Sequence, residues 1–188
     1  MRKVEVKPYN EKWLSMFEEE ANTLHKIFGP EIIDIHHIGS TSVNGLKAKP
    51  IIDIMPVVRD INQIDSFNKT MVAIGYEPKG ENGISQRRYF QKGGDNRTHH
   101  VHIYQLGNSE IDRHLAFRNY LRAHPDATKK YGDLKEDLSQ RFPYTLELYI
   151  KGKEQLVLEI EQKAVPWVQE RRLDNFINEN FNLQNANN

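Results

Sequence analysis

The chain has 188 residues and a mass of 22.0 kDa, carries 26 Lys+Arg against 26 Asp+Glu, and has no cysteine. That length accommodates one domain with a sizeable core. The balanced charge supplies no global field for nucleic acid or an anionic membrane, and the missing thiols exclude disulfides, thiolate metal sites and cysteine nucleophiles.

No apolar run reaches membrane-spanning length, and the first residues lack the apolar segment of a secretory leader, so a cytoplasmic protein with no membrane partner is expected. Residues 3–7 alternate Lys-Val-Glu-Val-Lys, a short strand or extended arm. Asn10 can cap a helix in which Leu14, Phe17, Ala21, Leu24 and Phe28 recur at helical steps, and Gly29-Pro30 ends it. Ile32, Ile33, Ile35 and Ile38 are β-branched and predict a buried strand running into Gly39. Ile51 to Val58 reads as a second core strand, apolar on both faces, with Pro56 placing it near a strand end or on a sheet edge. Residues 60–74 predict a helix stopped by Gly75, and Glu77 to Gly83 a polar turn. Ser85–Lys92 and His99–Leu106 read as a hairpin joined through Gly93-Gly94-Asp95-Asn96.

From Ser109 the period becomes helical: about 110–123, 126–141 and 145–164, followed by an Asn-rich tail over 173–188 expected to be flexible. Strands and helices first, then helices alone, predict an α+β (α/β-like) fold. The expected organisation is one domain over 1–172, with a sheet core to about residue 107 and a helical part over about 108–165.

The most informative stretch is His36 to Pro56. Gly39, Ser40, Thr41 and Ser42 form a hydroxyl-rich turn with backbone N–H groups suited to phosphate. Asp53 interrupts the apolar strand that follows, and a carboxylate there needs a partner or a cation. Phosphoryl and nucleotidyl transfer combine the same elements: backbone donors, lysines and a carboxylate-held metal. A plain turn with a hydrogen-bonded Asp is the simpler alternative.

His-Ile-Gly-Ser-Thr-Ser-Val-Asn-Gly-Leu-Lys-Ala-Lys-Pro-Ile-Ile-Asp-Ile at 37–54 resembles the signature of the GrpB family. Trp13, Phe17 and Glu20, the segment Phe117-Arg118-Asn119-Tyr120-Leu121-Arg122, and Tyr131, Leu134, Lys135, Tyr149 and Lys153 extend the resemblance over most of the chain. It implies a nucleotidyltransferase-like mixed sheet flanked by helices. The implied ligand is a nucleotide or other phosphorylated small molecule, with an RNA end as a further candidate partner. The chain departs from the pattern at Asn44, where proline is usual, and at Met55. Residues two apart on a strand share a face, so residue 55 should supply the second carboxylate of a metal pair, and a thioether does not bind Mg²⁺.

His100 and His102 share one strand face and are the candidates to complete a metal site with Asp53, which is also the candidate catalytic residue. The resemblance points to Mg²⁺ or Mn²⁺, with Zn²⁺ behind them, although imidazole suits Mg²⁺ poorly. Lys49 beside the Asp53 strand and Arg88 on the hairpin are candidate anion ligands. Arg118 and Arg122 lie four apart on an apolar helix face, and either a buried ion pair or a ligand contact would explain them. Three functions follow: a nucleotide-binding protein capable of metal-dependent nucleotidyl transfer, a catalytically degenerate binding or regulatory module, and a metal-dependent hydrolase built on Asp53, His100 and His102.

Overall fold

A computed structural model describes the backbone of residues 3–185 and the side chains of residues 3–171. Helix α1 (Lys12–Phe28) begins where the Asn10 side chain accepts the Lys12 N–H at 3.0 Å and stops at Gly29 with φ +53°. Strand β1 (Ile32–Ile38) follows, then a 3-10 turn at Ser40–Ser42 and strand β2 (Ile52–Val58). The segment expected as one helix over 60–74 is a 3-10 helix, Ile61–Phe67, continued by α2 (Asn68–Ala73). Asp60 caps it by accepting from Asn62 N–H. Strands β3 (Tyr76–Pro78), β4 (Arg87–Lys92) and β5 (His99–Gln105) complete the sheet. The expected polar turn from Glu77 is thus partly strand: Tyr76 to Pro78 pair with Phe90 to Lys92.

Sheet order is β1-β2-β5-β4-β3, with β2 and β5 parallel and every other neighbouring pair antiparallel. Pro56 does lie near the end of its strand, but β2 is interior rather than an edge. Its pairing with β5 steps from Ile54↔Val101 to Val57↔Tyr104, around the proline that has no N–H to donate. Residues 3–7 form the arm rather than a sheet strand: Lys7 and Ala48 exchange backbone hydrogen bonds of 2.8 and 2.9 Å.

Three helices follow, α3 (Ser109–Ala123), α4 (Pro125–Arg141) and α5 (Leu146–Asn185). Helix α5 continues past residue 164, through Pro166, to the end of the described backbone. An internal proline removes a hydrogen bond and strains the preceding turn. Beside it, Trp167 packs edge-on against Tyr120 and His124, at 5.8 and 5.3 Å between ring centroids. The polar segment expected as a tail over 173–188 is helical in backbone to Asn185, and its last three residues lie outside the described ones.

Alternation along the strands divides the sheet into two faces. Ile52, Ile54, Val58, Phe90, Val101 and Ile103 meet Trp13, Leu24 and Phe28 in the main core. The other face carries Asp53, Met55, His100, His102 and Tyr104 beneath α3, α4 and α5. The chemistry lies there.

Candidate ligand and metal site

Gly39 occupies the bend between β1 and the Ser40–Ser42 turn with φ +69°, a conformation L side chains rarely adopt. A Cβ at that position would lie 2.5 Å from Asp53 Oδ2. The glycine therefore lets the turn close directly over the carboxylate. The turn is locked from within and from below. Ser42 Oγ donates to Gly39 O at 2.6 Å, Thr41 Oγ1 donates to Ile51 O at 3.3 Å and lies 3.0 Å from His37 Nε2. Arg118 Nη1 donates to His37 O at 3.0 Å, and Arg122 donates to Ser42 O through Nε and Nη2 at 3.0 and 2.7 Å.

Parallel pairing of β2 and β5 sets Asp53 opposite His100. Asp53 Oδ1 lies 3.1 Å from His100 Nδ1 and 3.4 Å from His102 Nε2. Burial alone would raise the Asp53 carboxyl, but the hydrogen bonds from both imidazoles outweigh it and hold the group well below the usual carboxylate range. Burial lowers His102, and it pushes His114 on α3 down to about 3 with help from Arg113. One ligand atom from each of Asp53, His100 and His102 lies within 4.8 Å of the others, a group that could hold a metal ion.

Beside this group is a cavity of about 300 Å³, lined by Gly39, Ser40 and Thr41 from the turn, Lys49 and Asp53 from the sheet side, and residues of all three later helices. Lys135 of α4 is 2% exposed; its Nζ donates to Ser40 Oγ at 2.8 Å and sits 4.4 Å from the centroid of the Tyr131 ring. Lys153 of α5 and Lys49 both approach the Tyr149 ring, at 5.8 and 5.3 Å. Burial holds Lys135 well below the ordinary lysine range, reinforced by the charges of Lys153 and Lys49, and burial also lowers Lys153. At the far wall Arg113 pairs with Glu110 at 2.7 Å and Glu161 at 2.5 Å.

The structure brings Gly39, Ser40, Thr41, Lys49, Asp53 and His100 to one cavity, with His102 bonded to Asp53 behind it. Four other expected site residues have different roles. Ser42 does not line the cavity: its hydroxyl donates to Gly39 O within the turn and its carbonyl accepts from Arg122 of α3. Arg88 points to the opposite sheet face and forms a two-pronged pair with Asp65 at 2.8 and 2.9 Å. Its neighbour Arg87 lies on the site face, 3.5 Å from His102 Nδ1. Arg118 and Arg122 do not line this cavity and form no ion pair among the described residues; they brace the turn through backbone carbonyls. Burial and Arg122 push the Arg118 guanidinium down to about 10.

Lys135, Lys153, Tyr131, Tyr149 and Arg113 were not among the expected site residues. A signal for four of them is present in the sequence. Tyr131/Lys135 and Tyr149/Lys153 repeat one Tyr-Xaa-Xaa-Xaa-Lys spacing on two successive helices, placing each lysine one turn along the face of its tyrosine.

Met55 is fully buried against Ile38 and Tyr104, on the face where a second carboxylate would stand. Mg²⁺ requires near-octahedral oxygen ligands. One carboxylate, two imidazoles and a buried thioether do not fit it.

A family model described as GrpB protein matches residues 3–163. The UPF0157 protein YqkA of Bacillus subtilis is 54% identical over 166 residues, which cover 88% of this chain and 48% of that protein, so the chain spans about half of its relative's length. The crystal structure of conserved protein GrpB from Enterococcus faecalis superposes with a TM-score of 0.86 at 45% identity, over 88% of this chain and 99% of that one. A Cid1 poly(U) polymerase structure with Mg 3'-dATP bound superposes with a TM-score of 0.52 at 14% identity, over 72% of this chain and 44% of that one. This last likeness is one of fold, and the fold is nucleotidyltransferase-like.

Proposed function

This chain belongs to the GrpB family, and from that premise we propose that its cleft binds a nucleotide or another phosphorylated small molecule. The phosphates lie between the Gly39–Ser40 turn and the lysines of α4 and α5. The observation that supports this is the convergence of Lys49, Lys135 and Lys153 on one cavity, with Lys135 buried and bonded to Ser40. Burying ammonium groups beside one another disfavours their charged forms. An anion in the cavity reverses that balance and forms charge-assisted hydrogen bonds. Asp53 and Glu161 keep the cleft from being uniformly cationic, which favours a ligand with a less negative part beside its phosphates.

Nucleotidyl transfer by a pair of Mg²⁺ ions is not part of this reading, because Met55 stands in place of the second acid. Met55 favours the second reading, a binding or regulatory module that has kept the fold without that reaction. The hydrolase reading requires a metal on Asp53, His100 and His102. RNA remains the partner of Cid1 by its name alone, and the balanced charge of this chain favours a small ligand.

Calorimetric titration of the protein with pyrophosphate and with nucleoside triphosphates tests the proposal. Saturable binding that weakens in Lys135→Met and Lys153→Met is the expected result. No binding, or affinity unaltered in both variants, would overturn it. Release of pyrophosphate from a nucleoside triphosphate by the wild-type protein, abolished in Asp53→Asn, would overturn the non-catalytic reading.

A further inference from the structure

We infer that Asp53, His100 and His102 form a site for one transition-metal ion of the Zn²⁺ class, in place of the Mg²⁺ that the fold leads one to expect. The inference deepens the reading of the cleft given above, since it names the ion beside the phosphate site. It stands on different residues.

Geometry comes first. A tetrahedral ion with bonds of roughly 2.0–2.1 Å holds its donors roughly 3.3 Å apart. Asp53 Oδ1 lies 3.1 Å from His100 Nδ1 and 3.4 Å from His102 Nε2, so two of the three donor separations already match the edge of such a tetrahedron. All three candidate ligand atoms fall within 4.8 Å of one another.

The scaffold is rigid where it needs to be. His100 and His102 are alternate residues of β5, and Asp53 is paired across the parallel ladder with His100. Main-chain hydrogen bonding of two interior strands therefore sets the ligand spacing. Tyr89 on β4 packs its ring against both imidazoles, at 5.6 and 5.1 Å between centroids, and limits their rotation. Ligands held on strands by packed neighbours are the arrangement that makes a metal site selective.

Chemistry decides the ion. Two imidazoles and one carboxylate form the donor set of catalytic zinc sites and of other first-row centres, in which three protein ligands leave a position open. Here Asp53 and His100 line the cavity, so the open position faces the space bounded by Ser40 and Lys135. Met55, two residues along from Asp53 and fully buried, supplies no further hard oxygen. Cations oppose the ion: Lys49, Lys135, Lys153 and Arg113 line the same cavity, and Arg87 Nη1 is 3.5 Å from His102 Nδ1. Arg87 Nε and Nη2 are held by Glu81 O and Asn82 O at 3.1 and 2.7 Å, so its charge lowers the affinity without occupying the Nε2 donor.

The test uses the full chain without an affinity tag, stripped by a chelator and titrated calorimetrically with Zn²⁺, Co²⁺ and Mg²⁺ and no phosphorylated ligand. One equivalent of Zn²⁺ should bind at least about 100-fold more tightly than Mg²⁺, in line with the preference of imidazole ligands. Co²⁺ should develop the visible bands of a low-coordinate site. His100→Ala and Asp53→Asn should each weaken Zn²⁺ by more than about 10-fold, the lower end of what even outer-shell changes cost. His102→Asp, which returns a hard oxygen while keeping a ligand, should narrow the Zn²⁺/Mg²⁺ ratio and covers the case in which an alanine variant does not fold. Absence of stoichiometric Zn²⁺ binding, equal affinity for Mg²⁺, or a ratio unchanged in His102→Asp would overturn the inference and leave a metal-free hydrogen-bonded triad. Lys135→Met separates the two proposals: it should lose pyrophosphate and keep Zn²⁺.

Discussion

On the α1 side of the sheet, Ile52, Ile54, Val101, Ile103 and Phe90 pack against Trp13, Leu24 and Phe28, and all are buried. On the other side the same strands present Asp53, His100, His102 and Tyr104 to three helices that bring their own lysines, arginine and histidine. One residue's step along β2 or β5 moves from a core of hydrocarbon to a cluster of ionisable groups. The first face obtains its stability from apolar surface removed from water, about 25 cal/mol for each Å². The second holds Lys135 and its neighbours at a cost in desolvation, which makes sense where a ligand is to be held. Sheet rigidity links the two, because the packed face fixes the strands on which the polar face depends.

Phe28→Ala should produce the largest effect. Removing this 1% exposed ring opens a cavity in the packed face, and a loss of about 3–5 kcal/mol in denaturant unfolding is expected. Pyrophosphate affinity of the protein that remains folded should hold. A loss of affinity as large as the loss of stability would erase the distinction between the faces.

Acid comes next. His37 stacks on Phe17 of α1 at 4.7 Å, and burial is the main cause that pushes it down to about 4. The folded chain then keeps His37 neutral while the unfolded chain takes up a proton below about 6.5. Stability is therefore full above that value, falls as the pH drops towards 4, and is no longer lost through this group below it. The window corresponds to about 3 kcal/mol at 1.36 kcal/mol for each unit. Comparing wild type with His37→Gln by chemical denaturation at neutral pH and near pH 4 isolates this contribution; parallel pH profiles would contradict it.

For Lys135→Met the two faces should part in sign. Pyrophosphate binding should weaken by about 10- to 100-fold, as expected for a lost charged hydrogen bond of about 1.5–3 kcal/mol. Thermal stability should stay level or rise, because a buried ammonium is replaced by a thioether of similar length. A marked fall in melting temperature would show that Lys135 serves the fold rather than the ligand.

The smallest effect belongs to Arg88→Ala. Its partner Asp65 is half exposed, so the pair should contribute under about 1 kcal/mol, and ligand affinity should not change. Weakened pyrophosphate binding in this variant would place Arg88 back in the site.

Much of this architecture was legible in the chain. The stripe from Leu14 to Phe28, the β-branched run of β1 and the hairpin around Gly93-Gly94 each follow from local periodicity and turn chemistry, and the structure has them there. Asp53 was legible because an acid inside an apolar strand demands an explanation. His100 and His102 were legible because alternate residues of a strand share a face. Arg88 was misplaced for want of one piece of information: the parity of β4, since Arg87 and Arg88 are equally basic and only pairing with β5 decides which of them shares a face with His102. Ser42, Arg118 and Arg122 engage backbone carbonyls, and a polar group near a site looks the same in sequence whether it meets a ligand or a backbone carbonyl.

What the sequence by itself determined is the set of elements, the family signature around Gly39 and Asp53, and a methionine at 55, where a second acid was expected. These depend on residues close in the chain, where spacing translates directly into geometry. Tertiary structure alone decided that Lys135 and Lys153, roughly a hundred residues from Ser40 and Asp53, enter the same cavity, and that His100 stands beside Asp53 rather than merely on a strand of the same sheet. Such contacts depend on how α4 and α5 pack over the sheet and on the β2–β5 register. Both are set by burial summed over the whole domain, which no local stretch encodes.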